Sequence, residues 1–533
     1  MLFRRCVAAS KADVKKYYVK LVGPDLAAAL PFDDRPWWVV PHLLQLNAVL
    51  GICCVSAATL GYDGVLMNAL QISPLWQDYY NHPSAPRLGA INCMLPVGKV
   101  VGSIVVAPIS NRLGRKKTLI TGFYFAIIGA ALQTSSVNYP LLVVSRLILG
   151  IGSAFMSQPS PILIGELAYP THRGRLTALY QTFYFFGAIA AAWISFGSLK
   201  MTNNWSWRLP TLLQGAAPTL QLLFSYFLPE SPRFLVAKGK SEEARRLLTK
   251  FHAAGDENSP LVAIEMLQIE EAIRQDRESA NESMLKLLSK PANRRRILVV
   301  SILAIASQWA GNGVLSYYLA LVLKAIGITN PTHQSLINGG LQIFNMLSAM
   351  LCGAMLVDRL GRRTLLLWST AGMCISYVAW TVLNAQFTST HSKGVGMAVL
   401  PFLFIFNFHY AIALTPLLYA YPTEIFPYEL RGFGVAFTLT LSSLSLIISS
   451  VANPIAMKAL GWKYYIMFCV LDATFLMLVW FLFPETKGKS LEEVASVFDK
   501  NADGTLIDQA TISAVFEQKG DRDGLSESRV EKL

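Results

Sequence analysis

Charged side chains are scarce in this sequence. Of its 533 residues, 15% are charged and 53% are apolar, and the mean hydropathy is +0.41. Because a water-soluble domain cannot bury so large an apolar fraction, the composition excludes an ordinary soluble protein and indicates a lipid environment. The net charge of +13 would suggest a nucleic-acid partner in a soluble protein. Here most Lys and Arg residues lie in short loops beside apolar stretches, so no nucleic-acid binding is expected.

Paired cysteines and clustered histidines are also missing. The seven cysteines fall mostly inside apolar stretches, with no paired spacing in any loop, so neither a disulfide framework nor a zinc site is predicted. The seven histidines are scattered, and no metal-ligand cluster or activated nucleophile is evident, which argues against a membrane enzyme and predicts no metal. The N-terminal segment is polar and basic and lacks the short apolar run of a cleaved signal peptide.

Long apolar stretches are what the sequence has in abundance. About twelve of them reach the roughly 20 residues needed to cross a bilayer core. We therefore predict an all-α membrane protein with twelve transmembrane helices. The predicted spans begin near His42, Leu88, Lys117, Tyr139, Leu176, Leu209, Ile297, Ser335, Thr364, Val395, Gly432 and Trp462.

The polar segments divide the chain into two six-helix halves. Residues 1–41 form the N-terminal segment, 42–228 the first half, 229–296 a linker, 297–484 the second half and 485–533 the tail. In the linker, the charge pattern predicts amphipathic helices over Ser241–Phe251 and Leu261–Ser279. A short helix is predicted from Ser490 in the tail.

Basic residues in short loops set the predicted orientation, because they favour the cytoplasmic side. Alternate loops are rich in Arg and Lys, for example at Arg112 and Arg115, and the others hold only scattered basic residues. Both termini and the linker are therefore predicted to be cytoplasmic, with the plasma membrane as the expected location. On this orientation Asn204 of Asn-Trp-Ser lies outside as an N-glycosylation acceptor.

Three motifs recur roughly 250 residues apart, in the same order and beside corresponding spans, which indicates duplication of a six-helix unit. Asn111-Arg-Leu-Gly-Arg-Lys-Lys117 recurs as Asp358-Arg-Leu-Gly-Arg-Arg-Thr364. Glu166 with Arg173-Gly174 recurs as Glu424 with Arg431-Gly432, and Pro229-Glu-Ser-Pro-Arg233 recurs as Pro484-Glu-Thr-Lys-Gly488.

The repeated motifs place acids and bases at the predicted cytoplasmic helix ends, where they can pair when an inner gate closes and separate when it opens. Because surface ion pairs contribute about 0–1 kcal/mol each, a network of them biases two states without locking either. The simpler alternative is that the basic residues only set orientation. The predicted gating network comprises Arg112, Arg115, Glu166, Arg173, Glu230, Asp358, Arg359, Arg362, Glu424, Arg431 and Glu485.

This order of motifs resembles the sugar porter family of the major facilitator superfamily, over nearly all of residues 60–491. The likeness extends to fungal lactose permeases and cellodextrin transporters, through Ser307-Gln-Trp-Ala-Gly-Asn-Gly-Val-Leu-Ser-Tyr-Tyr318. The resemblance implies the major facilitator fold and transport of a small sugar across the membrane.

Four ionisable residues lie at predicted membrane depth, where an ionised side chain costs at least about 2.5 kcal/mol. Asp63 and Arg146 each lie roughly 10 Å below the outer surface and can therefore meet. A carboxylate that loses its arginine partner in a low dielectric takes up a proton, so this pair is the predicted proton-coupling site. The resemblance supports the same roles. Lys99 is expected to snorkel or to face a water-filled cavity, with pairing to Asp63 or to a substrate anion as the alternatives, and Asp472 is expected to be structural.

Sugar recognition needs amides, hydroxyls and aromatic faces directed into one cavity. Gln181 and Gln308 match sugar-binding amides of the family, and Tyr419 stands where the family has a tryptophan. The full predicted substrate set is Gln181, Gln308, Asn312, Tyr317, Tyr318, Asn345 and Tyr419. Ser442-Ser443 replaces an expected Gln-Trp, and these smaller residues suggest a wider cavity.

The sequence therefore predicts a proton-coupled sugar transporter that works by alternating access, as a monomer, with a disaccharide or a hexose as substrate and the proton gradient in place of any cofactor. The alternatives are a facilitative uniporter, a symporter of quinate, inositol or another polyol, and a sugar sensor that does not transport. The altered polar set is also compatible with an organic acid.

Overall fold

The computed structural model describes residues 29–30, 35, 37–279, 290–350, 360–426, 428–487 and 498. All regular elements within these ranges are helices. The first half contains α1 (Pro41–Ile72), α2 (Pro74–Tyr79), α3 (Ala85–Leu113), α4 (Arg115–Thr134), α5 (Tyr139–Ser157), α6 (Pro159–Leu167), α7 (Arg173–Ser198), α8 (Trp205–Leu213) and α9 (Ala216–Phe224). The linker contains α10 (Pro232–Ala237), α11 (Ser241–His252) and α12 (Pro260–Ser279).

The second half repeats the pattern. It contains α13 (Pro291–Trp309), α14 (Asn312–Ala325), α15 (Pro331–Ser348), α16 (Arg362–Thr390), α17 (Lys393–Ile425), α18 (Tyr428–Leu460) and α19 (Tyr464–Leu482). The pairs α5–α6, α8–α9 and α13–α14 each form one broken span, so both halves have six. The twelve-span architecture expected from the sequence is confirmed, and each span begins within six residues of its predicted start.

Eight stretches of the described helices are long and apolar enough to cross a membrane, and one of them, Phe433–Leu482, covers most of α18 and all of α19. The other spans are less apolar or interrupted. Helix α4 begins with three basic residues, the sixth span breaks at Gln214-Gly215, and α15 leads into residues outside the described ranges. The two predicted linker helices are also confirmed. The helix predicted from Ser490 lies outside the described residues.

Small residues bring the spans of each half close together, as they do in membrane helix pairs generally. Gly98 of α3 faces the backbone of Leu147 in α5, and Gly150 of α5 faces the backbone of Leu95. At either position a Cβ atom would lie 2.1 Å from a carbonyl oxygen. Gly187 of α7 lies equally tightly against the backbone of Ala58 in α1. These contacts fix the orientation of the helices that carry the polar residues described below.

The two halves meet along two equivalent seams. Helix α3 packs on α18, and α7 packs on α15, so the second and fifth spans of the first half contact the fifth and second spans of the other half. This exchange is the approximate two-fold relation expected of a duplicated unit. The end of the bundle beside α10–α12 is called the linker end below, and the opposite end is called the far end.

Candidate functional site

Asp63 is buried in the middle of α1 and is held by two side chains from other helices. The Gln214 amide donates to Asp63 Oδ1, and the Ser153 hydroxyl donates to Oδ2 at 3.3 Å. Gln214 lies where α8 breaks from α9, and Ser153 lies in α5. Three spans of the first half therefore converge on one carboxylate.

Arg146 of α5 is also buried and lies near Asp63 without a direct ion pair between them. Its exposed fraction is 1%, and its Nε and Nη1 atoms have no hydrogen-bond partner among the described residues. Its electrostatic neighbours are Asp63, Tyr317 and Tyr318. The prediction that Asp63 and Arg146 share one depth agrees with this placement. The direct partners of Asp63, however, are Gln214 and Ser153.

A polar cavity lies between the two halves, and tyrosine side chains line it. Tyr419 is 40% exposed, and Tyr184 is 37% exposed, although protein surrounds both of them. A side chain that is accessible to solvent but lies inside the protein faces an internal cavity. Tyr184 of α7 is an electrostatic neighbour of Tyr317, Tyr410 and Tyr419. Four phenols from both halves therefore surround one space, which is called the central cavity below.

The predicted amides lie around this cavity, and they differ in whether another protein group already binds them. Gln181 is exposed, yet it shares a helical face with the buried residues Ala188 and Ala192, so its exposure is toward the protein interior. The Gln308 amide donates to Ser442 Oγ at 3.0 Å. Gln181 is therefore free to bind a substrate, whereas Gln308 must give up its hydrogen bond to Ser442 before it can bind one.

Two further amides belong to the second half. Asn312 lies beside the Tyr410 hydroxyl, and its Oδ1 accepts a hydrogen bond from Ser316 at 3.1 Å. Asn345 of α15 is half-buried, and its Oδ1 atom has no partner among the described residues. An unpartnered buried acceptor is costly, so it is a position at which a bound hydroxyl gains a hydrogen bond.

Two residues lie outside the cavity. Tyr318 is fully buried, and its hydroxyl donates to the backbone oxygen of Ser450 at 2.5 Å, so it joins α14 to α18 and is not available to a substrate. This placement does not support the predicted substrate contact. Asp472 of α19 is fully buried in the second half beside Cys374 and Tyr377, and neither carboxylate oxygen has a hydrogen-bond partner among the described residues.

At the linker end of the first half, two glutamates fasten the start of α4. Glu230 accepts hydrogen bonds from the backbone N–H groups of Arg115 at 2.9 Å, Lys116 at 3.2 Å and Ser231 at 2.9 Å. The Ser231 hydroxyl donates to Glu166, and Glu166 lies 3.5 Å from Arg115 Nε. Glu230 thus caps the helix, and Glu166 pairs with the first side chain of that helix.

The second half repeats this arrangement at the start of α16. Glu485 accepts from the backbone N–H groups of Arg362 at 2.8 Å and Arg363 at 3.0 Å, and the Thr486 hydroxyl donates to Glu424 at 2.6 Å. Glu424 binds the Arg362 guanidinium through contacts of 2.9 to 3.1 Å. Although burial acts to raise the pKa of Glu485, the backbone donors around it outweigh that effect and hold the pKa below its usual value.

The remaining predicted gating residues have different surroundings. Arg173 pairs with Glu265 of α12 at 3.2 Å, so its partner is in the linker. Arg112 is exposed and has no partner among the described residues. Asp358 and Arg359 lie outside the described residues, and so does the side chain of Arg431. The ion pairs that the described gating residues make lie within one half or between that half and the linker.

A buried histidine secures the linker. His252 of α11 places Nδ1 2.6 Å from Glu265 and Nε2 3.0 Å from the backbone oxygen of Leu167, so both ring nitrogens meet an acceptor. Leu167 ends α6, and Glu265 also binds Arg173 at the start of α7. The linker is therefore joined to the loop between the fourth and fifth spans.

Among the described residues, the hydrogen bonds and close backbone contacts between the halves lie toward the far end. Asn68 donates to Asn338 at 3.4 Å, and Gln71 donates to the backbone oxygen of Tyr317 at 3.0 Å. Gly89 lies against the backbone of Val451. Asn68, Asn338 and Gln71 are buried, whereas Gln181 and Tyr419, nearer the linker end, are exposed. Access to the cavity therefore increases toward the linker end. Asn204 is exposed at the far end.

Several site residues were not predicted from the sequence. Gln214 and Ser153 hold Asp63, and Tyr184 and Tyr410 complete the group of four phenols. A glutamine at a helix break that precedes Gly215 is the available signal for Gln214. Tyr184 lies within an aromatic run that gives no indication of which ring faces inward.

Comparisons with known proteins agree with this architecture. The family described as "Sugar (and other) transporter" matches residues 49–498. The chain is 28% identical to the MFS-type transporter oryC of Aspergillus oryzae, over 84% of each chain. It is 29% identical to the low-affinity glucose transporter HXT1 of Saccharomyces cerevisiae, over 86% of this chain and 82% of the relative.

Solved structures show the same fold. The inward-open xylose transporter XylE from E. coli superposes with a TM-score of 0.70 at 22% identity, covering 85% of this chain and 100% of the other. A structure of XylE described as a proton:xylose symporter bound to 6-bromo-6-deoxy-D-glucose gives a TM-score of 0.67. With the duplicated six-helix halves and a family match over most of its length, this chain belongs to the sugar transporter family of the major facilitator superfamily.

Proposed function

We propose that this protein is a proton-coupled sugar transporter that works by alternating access. The observation that carries the proposal is the position of Asp63. It is a buried carboxylate with a cationic neighbour, in a half whose helices also line the central cavity. The names of the relatives, which include glucose transporters and a proton:xylose symporter, support a sugar as the substrate.

Proton coupling follows from the balance of forces on Asp63. The donors Gln214 and Ser153 and the charge of Arg146 favour the ionised carboxylate, whereas burial favours the neutral acid. The donors come from α5 and from the α8–α9 break, so a relative movement of these spans changes the balance. Withdrawal of a donor drives proton uptake, and its return drives release.

Alternating access follows from the seams between the halves. Contacts at the far end hold the halves together there, while exposed cavity residues lie nearer the linker end. We infer that the linker end faces the cytoplasm, because its loops carry the basic residues, and that the plasma membrane is the location. The structure then corresponds to a state open to the inside, and rocking of the two halves would open the far end.

Substrate binding is assigned to the free polar groups of the central cavity. Gln181 and Asn345 supply an unpartnered amide and an unpartnered acceptor, and Gln308 can exchange its Ser442 contact for a substrate hydroxyl. The four tyrosines supply aromatic faces for the C–H surface of a sugar ring. Tyr184, Tyr317 and Tyr419 also supply hydroxyls, whereas the Tyr410 hydroxyl already donates to the backbone oxygen of Ser307 at 2.8 Å. The space near Ser442-Ser443 is compatible with a hexose and with a larger sugar.

Asp63→Asn tests this proposal in proteoliposomes with an imposed proton gradient. The uptake panel contains labelled glucose, xylose, lactose, cellobiose, inositol and quinate. We expect the wild type to accumulate at least one of these compounds, and D63N to exchange it across the membrane without accumulating it, because the proton acceptor is gone.

The matched control is Asp472→Asn, which alters a buried aspartate away from the cavity and should leave accumulation intact. Accumulation by D63N, or wild-type uptake that is indifferent to a protonophore, would overturn proton coupling and favour a facilitative uniporter. Substrate binding without movement in either direction would favour a sensor.

A further inference from the structure

The structure has a second membrane-embedded cation, Lys99, that the coupling mechanism does not use. Lys99 lies at the midpoint of α3, far from the water at either helix end. A lysine ammonium at this depth is expensive unless something compensates its charge. The surroundings of Lys99 therefore require an explanation.

The helical position of Lys99 places it on the interior side of α3. It shares a face, at spacings of seven and eleven residues, with the buried residues Asn92, Val106 and Ser110. The lipid-facing side is marked by Ile104, which is 71% exposed and lies almost opposite. Lys99 therefore does not point into the bilayer.

On that interior side Lys99 faces the seam between the two halves. Viewed along the axis of α3, Lys99 points between the direction of Gly98, which packs against α5, and that of Gly89, which packs against α18. Its side chain is partly exposed although protein surrounds it, as is true of the cavity residue Tyr419. Asn92, two turns away on the same face, lies beside the Tyr318 hydroxyl in the seam between the halves.

Lys99 has no protein partner in the part of the chain that the structure describes. The described residues supply it with neither a hydrogen bond nor an ion pair. Asp63 is occupied by Gln214 and Ser153, and its cationic neighbour is Arg146. Pairing of Lys99 with Asp63, one of the sequence-based alternatives, is therefore not seen.

The charges at membrane depth are consequently unbalanced. Arg146 carries positive charge beside Asp63, whereas Lys99 carries positive charge on the seam side of α3 with no acid beside it among the described residues. Asp472, the other buried aspartate of the described spans, lies in the core of the second half beside Cys374 and Tyr377. A substrate that brings one negative charge would neutralise the excess.

We propose that Lys99 binds a carboxylate on the substrate, so that the transported molecule is a polyhydroxylated acid such as a uronate or an aldonate. This inference rests on the proposed transport function and narrows its substrate class. The tyrosine hydroxyls and the Gln181 amide bind the hydroxylated body, as they would for a neutral sugar. The Lys99 ammonium adds a charge-assisted hydrogen bond that a neutral sugar cannot make.

Matched pairs of compounds test the inference. Uptake and competition are measured for glucuronate against glucose and for gluconate against glucitol, since the members of each pair differ chiefly by the carboxylate. In the wild type, each acid should compete about 10- to 100-fold better than its neutral partner, the range expected for one desolvated charged hydrogen bond. These measurements use only the wild-type protein, so misfolding of a variant cannot affect them.

Variants then assign the preference to Lys99. Lys99→Gln should lower the ratio of glucuronate to glucose uptake at least ten-fold, whereas Lys99→Arg should keep most of it. The matched control is Lys200→Gln, which removes an exposed lysine of the α7–α8 loop and should leave the ratio unchanged.

Transport of neutral sugars with no preference for the acids, or an unchanged ratio in K99Q, would overturn the role of Lys99 and leave the proposed sugar transport standing. No transport of any compound, acidic or neutral, would overturn the proposed function itself and this inference with it.

Discussion

The two halves carry the same polar groups at their linker ends, but the contacts that these groups make differ between the halves. In both halves a glutamate caps the helix that starts the third span, and a hydroxyl beside it binds a second glutamate. The arginine contact, however, is a single 3.5 Å approach in the first half and several contacts of 2.9 to 3.1 Å in the second. The first half has an additional attachment through His252 and Glu265 of the linker.

This difference indicates which features belong to the duplicated unit and which were added to one copy. The backbone cap is common to both halves, because each third span needs acceptors for its free N–H groups. The side-chain ion pair is tighter in the half that, among the described residues, has no linker helix on it. The first half obtains part of its attachment from α11 and α12.

The largest loss of stability is expected from disrupting the helix cap that both halves share. Gly114 and Gly361 have φ of 96° and 92°, and a Cβ atom would lie 2.2 Å from Glu230 Oε2 and 2.6 Å from Glu485 Oε2, respectively. Substitution of either glycine by Ala should destabilise its half by roughly 2–3 kcal/mol, since it forces a glycine-only conformation and displaces the cap. Thermal unfolding in detergent measures this effect. The matched control is Gly165→Ala, a glycine with open space around its Cβ position. Clearly unequal losses at the two sites would contradict a shared cap.

A smaller effect is expected for the attachment that is specific to the first half. His252→Ala leaves the Glu265 carboxylate and the Leu167 carbonyl without the imidazole, which should cost about 1–3 kcal/mol locally. We expect faster proteolytic cleavage in residues 253–279 than in the wild type. His333→Ala, which alters an exposed histidine at the far end, serves as the control. Unchanged cleavage would show that His252 does not fasten the linker.

The smallest loss of stability is expected from removing the glutamate–arginine ion pairs, one in each half. Glu424→Gln removes the close pair with Arg362 and should cost about 1 kcal/mol, whereas Glu166→Gln removes the longer contact with Arg115 and should cost about half as much. Both losses should shrink at high salt. The two variants are compared by thermal unfolding at low and high ionic strength. A larger loss of stability in E166Q than in E424Q would contradict the proposed ranking of the two ion pairs.

The sequence predicts the fold well because its signals are local or repeated. Apolar length predicts the spans, and the three recurring motifs predict the two halves and the linker-end glutamates. The depth of Asp63 and Arg146 also follows from counting residues along their helices. These inferences require no knowledge of which helices are neighbours.

The details of the site depend on rotation and contact between helices, which composition does not determine. Gln214 reaches Asp63 because the sixth span breaks beside it, and Tyr184 enters the cavity because Gly187 and Gly61 let α7 approach α1 closely. The sequence predicts that Tyr318 binds substrate, yet Tyr318 lies at the kink in α14 and is buried, and the preceding residue Tyr317 takes the cavity side. Arg173 was placed in a gate, but its acidic partner belongs to the linker.

The most direct test of proton-coupled transport is to record proton movement together with substrate movement. Proteoliposomes without an imposed gradient, with a pH-sensitive dye inside, receive a substrate identified in the uptake panel. We predict that substrate entry acidifies the lumen in the wild type and that Asp63→Asn abolishes the acidification. Substrate entry into wild-type vesicles with no change in internal pH would contradict proton coupling.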